Sequence, residues 1–103
     1  MPHPSKRKGN RFEREIVHAA QDAGLSAERA YASDGRALGE AETVDVMIRA
    51  GDEPIRIQAK RRKKIAKYLT PPEGADVTVI REDRADALAV VPLALLLDLL
   101  RAA

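Results

Sequence analysis

Val44-Asp45-Val46-Met47-Ile48-Arg49-Ala50-Gly51-Asp52-Glu53-Pro54-Ile55-Arg56-Ile57-Gln58-Ala59-Lys60 is the stretch that decides the fold. Side chains along a strand alternate between faces. Val44, Val46 and Ile48 therefore share one face of a first strand and leave Asp45 on the other. Ile55, Ile57 and Ala59 do the same in a second strand and leave Arg56, Gln58 and Lys60 opposite. Ala50-Gly51-Asp52-Glu53 between them reads as a hairpin loop. The spacing predicts strands over 44–49 and 55–60. If Arg49 pairs with Pro54, Asp45 lies across from Gln58, with Lys60 one step further along. Gln58 and Lys60 would point the same way, about 7 Å apart. A carboxylate, an amide oxygen and an ammonium beside an apolar core suit a hard cation and a phosphate. That points to nuclease chemistry.

The rest of the chain is compatible with one α/β unit of 103 residues. Asn10 is a reasonable N-cap for a helix whose stripe is Phe12, Ile16, Ala20 and Ala23. Gly24-Leu25 gives that helix a common stop. Residues 26–31 predict a short strand, and 32–42 a loop long enough to serve a function. A helix is expected over 61–69, ending before Pro71-Pro72. Two further strands, 77–81 and 87–91, flank a polar turn, and Pro92 opens a last helix. In that helix Leu93, Leu96, Leu97 and Leu100 already make a core stripe, which Leu95 and Leu99 widen. So apolar a terminal helix predicts a homodimer.

Composition removes several classes of function. No apolar stretch approaches the ~20 residues needed to cross a membrane. The charged start, Lys6-Arg7-Lys8, has no hydrophobic segment behind it, so a secretory signal is not expected. Without cysteine, and with only His3 and His18, neither a disulfide framework nor a zinc cage can be built. The expected location is the cytoplasm.

Charge is segregated, although the net value is only +2. Pro54 through Pro72 contains no acid but holds Arg56, Lys60, Arg61, Arg62, Lys63, Lys64 and Lys67. A second basic group, Lys6, Arg7, Lys8, Arg11 and Arg14, sits at the start, and residues 1–9 read as a basic arm. Clustered cations in a nearly neutral chain fit a polyanion, because each neutralised phosphate releases counterions. The plain alternative is a solvated helix face.

Lys6-Arg7-Lys8-Gly9, Glu13-Arg14, Ile16-Val17, Arg29-Ala30-Tyr31-Ala32-Ser33, Val44-Asp45-Val46 and Gln58-Ala59-Lys60 occur in an order that resembles the archaeal-type Holliday junction resolvases. These are PD-(D/E)xK nucleases with phage and bacterial relatives. The resemblance runs from residue 6 to about residue 64. It implies a restriction-endonuclease-like fold, with a central mixed sheet of about five strands flanked by helices, in a single nuclease domain over 1–103. It further implies Mg²⁺, replaceable by Mn²⁺, held by Glu13, Asp45 and Gln58. Lys60 would stabilise charge on the scissile phosphate or orient the attacking water. Lys6, Arg7, Lys8, Arg29, Ser33, Arg61, Arg62, Lys63 and Lys64 would contact DNA. Members act as homodimers on four-way junctions.

Each residue also has a plain reading. Glu13, three positions after Asn10, fits a capping box. Gln58 can be a surface amide, Lys60 the first of a basic run, and Ser33 a turn former. Tyr31 and Tyr68 can stack on bases, but packing is the simpler assignment. An acid inside a strand is disfavoured, so Asp45 between two valines calls for a reason. Gln58 departs from the family pattern, which has a carboxylate there. Glutamine is found in branches resembling Mrr restriction enzymes, and it is also the near-isosteric exchange that silences such a site. Cleavage of linear DNA and DNA binding without catalysis therefore stand as alternatives.

Overall fold

In the computed structural model, residues 4–30 and 43–103 are described, with side chains from Gly9 onward. The element order is α1 (Pro4–Asp22), β1 (Ser26–Arg29), β2 (Val46–Ala50), β3 (Glu53–Ile57), a 3₁₀ turn (Lys67–Leu69), β4 (Thr78–Ile80), β5 (Leu88–Val90) and α2 (Leu93–Ala102). The class is α/β, compatible with a small restriction-endonuclease-like fold. Among the described residues there are five strands, but they form two antiparallel sheets, β1-β2-β3 and β4-β5, rather than one mixed sheet. The β4 and β5 strands are only three residues long and leave Val79 and Leu88 exposed. They bury too little to extend the main sheet.

The hairpin register is the one the sequence implies. Arg49 pairs with Pro54, Ile48 with Ile55 and Val46 with Ile57. On the other side of β2, Ala27 pairs with Ile48 and Arg29 with Val46. The turn is tighter than expected, with only Gly51-Asp52 outside the strands. Gly51 adopts φ +66° while Asp52 stays at negative φ. This is the sign pattern of a type II′ turn, whose twist matches its strands.

The rows Ala27–Ile48–Ile55 and Arg29–Val46–Ile57 share one face of the sheet. Ala27, Ile48 and Val46 pack there against Ile16, Val17 and Ala20 of α1, and Leu97 of α2 completes the core. Met47, on the opposite face, is buried as well. A central strand enclosed on both sides is apolar at successive positions, which is why β2 does not alternate cleanly.

The first helix begins at Pro4 rather than after Asn10, so the segment expected as a basic arm has helical backbone from Pro4. Proline is favoured at the first helical position, and Lys and Arg are good helix formers. Asn10 therefore lies inside the helix and caps nothing. The stop is as expected. Gly24 has φ +88°, its amide donates to the Gln21 carbonyl, and the Leu25 amide donates to the Ala20 carbonyl. That pair of bonds is a Schellman ending, and Leu25 packs against the core.

The helix expected over 61–69 is absent apart from the 3₁₀ turn. Short helices survive by burying an apolar face. Here Ile65 and Tyr68 are exposed, and consecutive cations at 60–64 repel one another. Pro92 occupies the N-cap of α2, and its carbonyl accepts the Leu96 amide. Among the described residues, no helix is long and apolar enough to cross a membrane.

Candidate active site

The last residue of β1, the first of β2 and the last of β3 form a single row, Arg29–Val46–Ile57. The segments that carry Asp45 and Gln58–Lys60 therefore leave the sheet at the same end. At that end Asp45 stitches three chain segments together. Its carbonyl accepts the Ala30 amide at 2.9 Å, and its own amide donates to the Ile57 carbonyl at 2.8 Å. Its Oδ2 accepts the Ala59 amide at 2.8 Å. A side-chain oxygen thus stands where a strand carbonyl would otherwise receive the Ala59 N–H. This is the physical reason for an acid between Val44 and Val46.

The expectation that Asp45 faces Gln58 within a regular ladder needs one correction. The β3 strand ends at Ile57, so Gln58, Ala59 and Lys60 lie beyond it. Alternation nevertheless persists. Ile57 and Ala59 pack against the core, while Gln58 and Lys60 are exposed. Lys60 makes no ion pair with a described residue.

Glu13 reaches this end of the sheet through α1. Arg29 shares the face of Val46, which is the face that α1 covers. Its Nε donates to Glu13 Oε1 at 3.1 Å, and its Nη2 donates to Asn10 Oδ1 at 3.2 Å. The two ionic side chains are only 20% and 16% exposed, so the pair sits largely out of water. This geometry removes the capping-box reading of Glu13. It also assigns Arg29 a partner within the fold, where the sequence reading had only a DNA contact. Period-two alternation from the core residue Ala27 was the available signal, since a cation on the core face needs an acid. Asn10, a cap by sequence, lies inside the helix and accepts from Arg29 instead.

The remaining expected residues fall into two groups. Arg61, Arg62, Lys63 and Lys64 are exposed on the irregular segment after β3, and Arg62 Nη1 donates to the Arg61 carbonyl at 3.2 Å. Lys6, Arg7 and Lys8 lie in the first turns of α1, with side chains outside the described part. Ser33, Tyr31 and the expected loop over 32–42 lie outside the described residues.

The donor set at this end is entirely oxygen, the chemistry that suits a hard divalent cation. Oε1 of Glu13 is engaged by Arg29 and Oδ2 of Asp45 by Ala59. The second oxygen of each carboxylate accepts no hydrogen bond from a described residue, and Gln58 offers a neutral amide oxygen. Among the described residues, no group of three or more His, Asp or Glu side chains is arranged to hold a metal ion. Glu13, Asp45 and Gln58 are the oxygen donors that this end of the sheet offers to a cation.

The family model for the archaeal Holliday junction resolvase, Hjc, matches residues 4–90. The chain belongs to the Hjc family. The match extends past the motifs that first pointed to it, through the basic segment and both strands of the second sheet. Membership makes the chain a nuclease of the Holliday junction resolvase type, a family associated with branched DNA and with recombination and repair. No curated protein and no solved structure matches it.

Proposed function

We propose that this Hjc-family chain is a metal-dependent endonuclease that cleaves four-way DNA junctions as a homodimer. The observation that carries the reading is the common exit of Asp45, Gln58 and Lys60 at one sheet end, with Glu13 tethered there by Arg29. Glu13, Asp45 and Gln58 would hold Mg²⁺, with Mn²⁺ as a substitute. When bound, the cation supplies Lewis-acid activation of water and neutralises charge on the phosphate.

The chain's own residues do the rest. The Ala59 amide fixes one oxygen of Asp45 and so orients the other. Arg29, itself held by Asn10 Oδ1, grips the Glu13 carboxylate and stops it from swinging away. Lys60, exposed beside Asp45's partner segment, orients the attacking water or meets the negative charge that develops on the scissile phosphate. Arg61, Arg62, Lys63 and Lys64 bind flanking phosphates without reading bases. Lys6, Arg7, Lys8 and Ser33 are proposed to extend that contact, and Arg29 to act through Glu13. The dimer reading is supported by α2, where Leu99 is 58% exposed on a helix that is apolar nearly all round.

The test compares a four-way junction with a linear duplex of the same sequence, each incubated with Mg²⁺ or Mn²⁺. Paired symmetric nicks in the junction alone are expected. Equal cutting of both substrates would assign the chain to linear DNA, and binding without cutting would make it a binding module.

A further inference from the structure

Tyr68 is 68% exposed, so it is not the packing residue that its scarcity among aromatics implied. It follows directly on the acid-free basic segment and borders a recess of about 680 Å³, lined also by Ile80, Arg81, Glu82 and Leu88. That volume is in the range of small-ligand sites. The apolar part of the lining is Ile80 and Leu88, the latter 63% exposed. Arg81 and Glu82 supply one charge of each sign to the lining.

These features select among possible occupants. The run from Lys60 to Lys67 contains six cations, all exposed, and ends next to Tyr68 in the recess lining. With Arg81 and Glu82 both in the lining, the recess has no net positive charge to draw a phosphate inside. A nucleobase carries no charge, has a flat π-face and offers N–H groups that a carboxylate can accept. Exposed aromatics beside a cationic track are how proteins hold bases that have left the helical stack.

We propose that Tyr68, with Ile80 and Leu88 lining the same recess, is a stacking platform for one unpaired base of the DNA bound along Lys60–Lys67. The inference rests on the nucleic-acid reading above and deepens it, naming an unstacked base as the recognised feature. Such a base can come from a frayed junction crossover or from a single strand.

The experiment measures affinity of the full-length protein for three probes: a 2-aminopurine-labelled single strand, a four-way junction labelled at the crossover, and a fully paired duplex. Tyr68→Ala is expected to weaken single-strand binding on the order of tenfold and to abolish the change in 2-aminopurine emission. Duplex affinity and the salt dependence stay as in the unmodified protein, because no charge is lost. Tyr68→Phe restores both signals, whereas Tyr68→Leu, equally apolar but without a π-face, does not. A response of the labelled junction that parallels the single strand identifies the crossover as the source; a response confined to the single strand still supports the platform and identifies free strands.

Equal losses on all three probes, or none, would overturn the platform while leaving DNA binding intact. Failure of the unmodified protein to bind any probe would overturn the nucleic-acid reading and the platform together. A shift of Tyr68→Ala to a smaller species in sedimentation would show that a second copy covers the recess, and the base would have no place there.

Discussion

Replacing Arg29 by methionine keeps most of its apolar stem but removes the guanidinium that holds Glu13 and Asn10. At 3.1 Å and an effective dielectric of about 20, the Coulomb attraction is about 5 kcal/mol. Most of that is returned by rehydration, and residual exposure screens the remainder. Loss of the pair leaves a largely buried carboxylate without its cation, and the net cost is about 2 kcal/mol. For a domain of this size that lowers Tm by about 10 °C. Glu13→Gln should cost a similar amount, because it strands the arginine instead. The double variant should recover at least about 1 kcal/mol of the summed losses, as coupled neighbours do. Urea denaturation of the four species in a double-mutant cycle gives the coupling directly. It should change little with added salt, since partly buried pairs are weakly screened. A coupling below about 0.5 kcal/mol, the size typical of exposed pairs, would refute the clasp that ties α1 to the sheet end.

Gln58→Glu should keep or raise Mg²⁺-dependent cleavage of junctions, since a charged oxygen binds a hard cation better than an amide; complete loss of cutting would remove Gln58 from the ligand set. Neutralising Arg61, Arg62 and Lys63 together should weaken all DNA alike and lower the slope of log affinity against log salt by about 2.7; an effect confined to one sequence would mean that they read bases. Gly24→Ala should destabilise by about 1 kcal/mol because φ is +88° there. Gly9→Ala, in mid-helix with nothing within 4 Å of the added carbon, should stabilise by about 0.5–1 kcal/mol, and thermal melts that ranked the two alike would contradict the backbone assignment. Met47→Ala should cost about 2–5 kcal/mol in denaturation, and a surface-like loss would show that the second face of β2 is open.

Much of the central hairpin could be read from residue order because period-two alternation and a Gly-Asp turn are local signals. Their register follows once Arg49 meets Pro54. The Schellman stop at Gly24-Leu25 is equally local. What escaped the sequence depends on partners far along the chain. Asn10 looks like a cap until the helix is known to start at Pro4, and Glu13 then looks like the other half of a capping box. Only the crossing of α1 over β1 reveals Arg29 as their common partner. The cations after Lys60 have strong helix propensity, but propensity loses when no apolar face is buried and like charges adjoin. The division into two sheets was likewise not visible, because a three-residue strand carries no mark of which sheet it joins. For the candidate site, the positions of Asp45, Gln58 and Lys60 along the hairpin were legible. The Ala59 amide that orients Asp45 was not, since backbone donors have no letter in the sequence.

The Gly51-Asp52 turn closes the hairpin at the end of the sheet away from Asp45 and Lys60, about 16 Å off across five residues of strand. The chain contains no cysteine, and Asp52 is exposed at negative φ. Asp52→Cys would therefore give a single thiol for a fluorophore or a surface tether. Binding of dye-labelled DNA could then be followed by energy transfer, molecule by molecule, with the dye at the opposite end of the sheet from the candidate site.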